Sequence, residues 1–429
     1  MILTKLQFLN FRTIINFLLL FLPISFIAGN LLINLNIILI ILTSLIYWKK
    51  EFFKIDINLI DKLLIVVFFY AIIISLINFG ISFQNDMANA KENLLKSITY
   101  LRYLLFYFSI RHIIEKNFFD FKIFFLSSGL CVIFVSLDLI LQLIRGTDIF
   151  GFPKATYKLS GPFGDEQIAG SYLQRFSIFL FFLFPFYREK INIKYLFIIF
   201  SLLFLIIFFS IVFSGNRMPI VMFMFSFFLL FLLEKKLRKF LIIFAPLVCL
   251  MLLVVYNMNH YVYDIVNHFV NRSFEIFKSF DKIFYDSNFD LPNTYIKEFN
   301  LGYLTWRENT LLGGGINSFY LNCEINYNIC STHPHNYYLE ILAELGILGT
   351  IFILLIFVNL FYKYLIIKKN LNLNFYKNLV TPFALLLFVE IFPIKTTGSF
   401  FSTGSAAYIF LLISVIVGLF NKSKYHRMN

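Results

Sequence analysis

The sequence predicts an all-α, polytopic membrane protein with about twelve transmembrane helices and one large outward loop between spans nine and ten. Three observations carry this prediction. Of 429 residues, 59% are hydrophobic and 20% aromatic, and only 14% are charged, where a soluble domain carries nearer about a quarter. Mean hydropathy is +0.80. Apolar runs of about 20 residues, enough to cross the hydrocarbon core, recur along the whole chain. A backbone in lipid must satisfy its own hydrogen bonds, so these runs read as helices.

Taken in order, the spans fall near 12–29, 31–48, 62–82, 98–114, 119–144, 168–187, 195–214, 217–234, 239–257, 337–362, 377–394 and 405–420. No A-x-A-like cleavage site follows the first run, so it reads as a transmembrane helix and not as a cleaved signal. Every second connection is short and basic: Lys49, Lys50 and Lys54; Arg111 and Lys116; Arg188, Lys190 and Lys194; Lys235, Lys236, Arg238 and Lys239; Lys363, Lys368 and Lys369. Lys422, Lys424 and Arg427 close the chain. The positive-inside bias places these connections and both termini in the cytoplasm. The loops near 83–97, 145–167, 214–217, 258–336 and 395–404 then face outward. The formal net charge of +13 reads as basic loops attracted to anionic membrane lipids, with no nucleic-acid partner.

The long loop carries Tyr261, Ile265, Phe269, Phe274, Phe277, Phe280 and Phe284 at helical spacing. It reads as a cap of short helices on the membrane face, too apolar for disorder. The chain thus divides into spans one to nine (1–257), the loop (258–336), and spans ten to twelve with a cytoplasmic tail (337–429). Internal repeats are not evident, which disfavours many transporter folds. Of four cysteines, Cys131 and Cys249 lie within spans as apolar fillers. Cys323 and Cys330 lie in the outward loop. They read as a disulfide in an oxidising compartment, with two free thiols, or a zinc site shared with His333 and His335, as the alternatives.

The densest chemistry runs from Thr332 to Gly349. His333-Pro-His335-Asn336 sits where an outward loop enters a helix, with Glu340 and Glu344 one turn apart behind it. Asn336 is an N-cap. The structural reading is a cap with two interfacial histidines; the chemical reading makes His335 a general base, since imidazole titrates near neutral pH, with His333 in support. Arg217 follows Ser214-Gly-Asn at a helix start, where exposed N–H groups favour an anion. Arg175 lies inside a span, where a charge needs a partner or water; Asp138 and Glu390 are partners of the right sign for it or for Arg102. Ser160–Ser171 makes tight turns, with Asp165 and Glu166 at a helix start. It reads either as an acceptor-side loop or as an ordinary capped one. Gly313-Gly-Gly-Ile-Asn-Ser-Phe319 lacks the lysine of a phosphate-binding loop and reads as a close-approach loop beneath the histidines.

Four stretches carry a resemblance. They are Gly161-Pro-Phe-Gly-Asp-Glu166 with Ala169-Gly-Ser171; Ser214-Gly-Asn-Arg217; Trp306-Arg-Glu-Asn309 with the glycine loop; and His333 to Gly346. In this order they resemble the O-antigen ligase and O-antigen polymerase superfamily. The resemblance implies an inverting glycosyltransferase with no metal or other cofactor, at the periplasmic face of a bacterial inner membrane. Its donor would be an undecaprenyl-diphosphate-linked glycan, and its acceptor lipid A–core oligosaccharide in a ligase or the growing glycan in a polymerase. His335 matches the residue proposed to activate the acceptor hydroxyl, and Arg217 matches an arginine that holds the diphosphate. A second basic residue commonly precedes the tryptophan. Here Asn293–Lys297 contains no Arg or His, and Arg307, Lys297, Arg272 and Arg175 are the substitutes on offer. A lipid-oligosaccharide flippase is the alternative from another class, but it would line a midplane cavity with charges.

Overall fold

The computed structural model describes residues 2–428 apart from 83–86, 156–157, 188–191, 235–237, 259, 279–282, 285–293, 322–330, 370–373, 394 and 397. The described residues are mostly helical and contain no strand, only an isolated bridge between Thr147 and Pro153. The helices are α1 (Ile2–Ala28), α2 (Asn30–Trp48), α3 (Leu59–Ser82), α4 (Met87–Glu115), α5 (Phe121–Arg145), α6 (Ala169–Phe181), α7 (Phe184–Tyr187), α8 (Ile193–Phe213), α9 (Arg217–Leu233), α10 (Arg238–Met258), α11 (His260–Lys278), α12 (Thr294–Glu308), α13 (Tyr337–Lys369), α14 (Asn374–Glu390) and α15 (Thr403–Met428).

Each of the twelve expected windows overlaps a helix, with 168–187 divided between α6 and α7 and 377–394 running past the end of α14 at Glu390. Among the described residues, eight helical segments are long and apolar enough to cross a membrane. The apolar stretches Arg217–Leu233 and Asn378–Glu390 are shorter. The two remaining windows fall on α4 and α10. The expected cap over 258–336 contains α11 and α12, whereas Phe280 and both Cys323 and Cys330 lie outside the described residues.

The chain forms two compact units. The first comprises Met1–Asn36, Asn117–Arg272 and Thr381–Glu390. Here α5 packs against α1, α6 and α8. Asp120 caps it by accepting the Ile123 N–H at 3.1 Å, and Gly146 ends it in the left-handed region at φ 83°. The core is aromatic: the Phe179 and Phe383 rings are 4.9 Å apart, and Phe125 stacks on Phe179 at 5.5 Å.

The second unit comprises Ile37–Lys116, Ser273–Val380 and Ile391–Asn429. In it α4 packs against α3 and α15, and α13 packs against α3, α12 and α15. Arg111, placed by the sequence in a basic connection, is instead buried near the end of α4. It meets Asp61 at 2.6 Å, Glu115 at 2.8 Å and the Asp56 carbonyl at 2.6 Å. Asn421 of α15 donates to the same Glu115 at 2.7 Å. A buried cation is retained only when acceptors converge on it in this way.

Candidate functional site

The second unit holds the histidines. Asn336 caps α13 as expected: its Oδ1 accepts the N–H groups of Tyr338 at 2.9 Å and Leu339 at 3.2 Å. Its Nδ2 donates to the Pro393 carbonyl at 2.8 Å, tying the start of α13 to the segment that follows α14. Two bonds from one side chain leave the residue before it little freedom. That residue, His335, has φ 52°, in the left-handed region that β-carbon sterics disfavour. Strain of this kind persists where its surroundings over-determine it.

The surroundings are α12. Tyr295, Glu298 and Gly302 recur on one helical face. A β-carbon on Gly302 would lie 2.9 Å from Cβ of Pro334, so only glycine lets α12 come this close to the turn. Glu298 Oε2 then lies 3.3 Å from His335 Nε2, an ion-pair distance. The Tyr295 ring stands edge-on to His335 at 5.5 Å, and the two histidine rings are 4.3 Å apart. Thr332 Oγ1 is 2.9 Å from His333 Nδ1. The His335 side chain is 30% exposed and that of Glu298 only 12%. Burial pushes the Glu298 carboxyl up to about 7, and a bond from Ser331 opposes the shift.

Beneath the turn, α13 breaks. Gly346 has φ 64° and ψ −170°, which splits the helix in two. The break exposes backbone groups that the glycine loop satisfies. Gly314 N–H donates to the Ala343 carbonyl at 3.0 Å, and Gly315 N–H to the Glu344 carbonyl at 2.7 Å. Ile347 N–H in turn donates to the Thr310 carbonyl at 3.0 Å. A β-carbon on Gly313 would collide with the Gly346 nitrogen and the Glu344 carbonyl. Trp306 packs on Leu301, Phe319 and Ala343 and donates its indole N–H to the Thr310 carbonyl at 3.1 Å. The tryptophan, glycine-loop and histidine motifs are therefore one packed assembly. Glu340 is buried, with its Oε2 accepting the Phe400 N–H at 2.6 Å. Arg307 is exposed, its guanidinium 5.8 Å from the Tyr303 ring.

The first unit holds Arg217 and Arg175. Ser214, Gly215 and Asn216 turn the chain from α8 into α9, which begins at Arg217; Gly215 has φ 70°. This turn meets the loop before α6. Leu159 N–H reaches the Ser214 carbonyl at 3.3 Å. A β-carbon on Gly170 would collide with Ser214 Oγ and lie 2.9 Å from Asn216 Cβ. The half-buried Lys158 lies close to Arg217. Burial first, and then the Arg217 charge, lowers its affinity for a proton. Asp165 and Glu166 are exposed just before α6. Arg175 pairs with Glu390: its Nη2 lies 2.6 Å from Oε1 and its Nε 3.3 Å from Oε2. Of the two acids considered as its partner, Glu390 is the one. Asp138 instead accepts the Ile149 N–H at 2.8 Å.

Glu298 and Lys158 are the polar residues that motif reading passes over. The recurrence of Tyr295, Glu298 and Gly302 on one helix face was the available signal for Glu298. Lys158 carried none beyond its place before Gly161.

Residues 200–354 match a family model described as O-Antigen ligase. This stretch runs from α8 to the upper part of α13. It contains Arg217, Trp306, the glycine loop, both histidines and Glu298. No curated protein matches the chain.

Proposed function

We propose that this chain, whose residues 200–354 match the O-Antigen ligase family, moves a glycan from undecaprenyl diphosphate to an acceptor hydroxyl of lipid A–core. The reaction takes place at the periplasmic face of a bacterial inner membrane. About twelve spans hold the site there, with both termini in the cytoplasm and 258–336 as a periplasmic cap. The observation that supports the reading best is the His335 turn. A histidine in a strained backbone conformation, fixed by a helix cap and backed by a carboxylate, is a placed base and not a surface imidazole.

The chemistry follows from the leaving group. Lipid diphosphate departs readily, so its developing charge needs cations and not a strong acid. Arg217, at the start of α9, supplies one. Lys158 beside it supplies the second positive charge that the stretch before Trp306 lacks. Arg175 has its charge matched by Glu390 and acts as a strut. Arg307 stays at the exposed rim. His335 takes the proton of the acceptor hydroxyl as its oxygen attacks the anomeric carbon. The carbon–oxygen bond to diphosphate breaks, and the lipid diphosphate leaves with the electron pair. A single displacement inverts the anomeric configuration and calls on neither metal nor nucleotide. Asp165 and Glu166, exposed beside Arg217's turn, suit the hydroxyl-rich acceptor. His333, Asn336 and Glu340 hold the base in place.

The test is lipopolysaccharide profiling of a deletion strain complemented with wild type, His335→Ala, Arg217→Ala or Lys158→Met. Wild type restores the capped glycan. The first two variants insert in the membrane and do not restore it, and Lys158→Met restores it only partly. Full restoration by His335→Ala removes the base assignment. Glycan lengthened on the carrier, in place of transfer to lipid A–core, identifies a polymerase.

A further inference from the structure

Glu298 is an acid buried against an imidazole, on a helix whose approach to that imidazole depends on a glycine. Its Oε2 is 3.3 Å from His335 Nε2, and the residue is 9% exposed. The contact is held from three sides. Gly302, one turn along α12, seats Pro334. Tyr295, one turn back, places its ring against His335 at 5.5 Å. The Ser331 hydroxyl lies between the same carboxylate and the His333 carbonyl, 2.6 Å from the latter, and its one proton is shared between these two acceptors. A surface glutamate near a histidine by chance would have none of these.

We infer that Glu298 is a positioning residue: it accepts the Nε2–H of His335, fixes the ring's tautomer and leaves Nδ1 to take the acceptor hydroxyl's proton. The inference rests on the reading of His335 as the base. A carboxylate opposite one ring nitrogen selects which nitrogen is basic and stabilises the imidazolium formed on proton transfer. The proton lost by the hydroxyl ends on Nδ1 and passes to water before the next turnover. Above about pH 7, where its carboxyl is ionised, Glu298 keeps its charge through the transfer.

A pH dependence follows. The titratable groups on the parts of the elements meeting here are Tyr295, Lys297, Tyr303, Arg307 and Glu308 on α12, His333 and His335 in the turn, and Tyr337, Tyr338, Glu340 and Glu344 on the first turns of α13. Three of these on α13 bond elsewhere: Tyr337 to Ser405 at 3.0 Å, Tyr338 to the Ile391 carbonyl at 2.6 Å, and Glu340 to the Phe400 N–H. Of these groups His335 is the one within ion-pair distance of the Glu298 carboxylate, at 3.3 Å. With its carboxyl titrating at about 7, Glu298 is protonated below that pH and accepts no proton from Nε2. Transfer falls as pH drops through about 7.

The experiment uses the full chain in lipid nanodiscs, with histidine ring nitrogens labelled and His335 assigned by comparison with His335→Gln. Nuclear magnetic resonance reads its tautomer and titration. The transfer assay supplies undecaprenyl-diphosphate-linked glycan and lipid A–core. Wild type shows the Nε2–H tautomer. Glu298→Gln lowers the His335 midpoint by about one pH unit or more and lowers kcat on the order of 10²-fold, with KM for the lipid-linked glycan unchanged. Glu298→Asp recovers part of both. An unchanged His335 titration in Glu298→Gln overturns the inference even where His335→Ala is inactive. A shifted titration together with a fully active His335→Ala overturns the base reading, and the positioning role in transfer falls with it.

Discussion

Arg175 and Glu390 make the case in which geometry and motif reading pull apart. A cation inside a span of a chain proposed to use a lipid diphosphate invites assignment to the diphosphate. Its partner is the fully buried carboxylate of Glu390, with Arg175 itself 15% exposed and the contacts at 2.6 and 3.3 Å. Arg175→Met leaves that carboxylate buried and alone. Breaking one partner of a buried pair costs about 3–5 kcal/mol, whereas replacing both with apolar side chains of similar volume is close to neutral. The singles Arg175→Met and Glu390→Leu should each lose stability on that scale. The double variant should recover to within about 1 kcal/mol of wild type. Thermal unfolding in nanodiscs ranks the four proteins, and transfer per folded molecule is measured on the double variant. Additive losses in the double variant refute the pairing as a structural unit. A double variant that is stable yet inert returns Arg175 to the diphosphate.

Two other substitutions probe the histidine assembly. Gly346→Ala places a side chain at φ 64° against the Leu311 carbonyl and the Gly313 nitrogen. The conformational term alone is about 1–2 kcal/mol, and the break in α13 should shift, so the variant loses both stability and transfer in parallel assays. Asn336→Ala removes two cap bonds and the bond to Pro393; it should cost about 1 kcal/mol. Its loss of transfer, measured at a temperature where the protein stays folded, should exceed that of a cap removed elsewhere, such as Asp120→Ala on α5.

Eight spans were legible among the described residues because crossing lipid imposes length and apolarity on a contiguous stretch, which a single pass along the chain detects. The Asn336 cap was legible for the same reason, since its donors lie two and three residues away. Arg111 was misjudged because charge counting treats every basic residue near a span end as solvated. The acids that bury it, Asp61 and Glu115, belong to α3 and to α4 itself. Glu298 was only faintly legible: it shares a helix face with Tyr295 and Gly302, but an acid on a short polar helix reads as a solvated face until its partner is known.

The glycines show why the histidine motif needs the segments that precede it. Gly302 and Gly313 look like breaks in separate stretches, yet each marks a place where backbone must meet another segment without a β-carbon between them. Gly302 meets Pro334, and Gly313 meets Gly346. The two contacts lie on either side of the first turns of α13, one at the histidine turn and the other at the helix break. They fix that short helical piece at both ends. A histidine on an unbroken helix would be placed by one cap alone, whereas His335 is placed by the cap, by α12 and, through the Ala343 and Glu344 carbonyls, by the glycine loop below. Substitution of Gly302 by alanine should therefore cut transfer while leaving the spans folded, because it removes one anchor of His335, the proposed base, and none of the helix packing elsewhere.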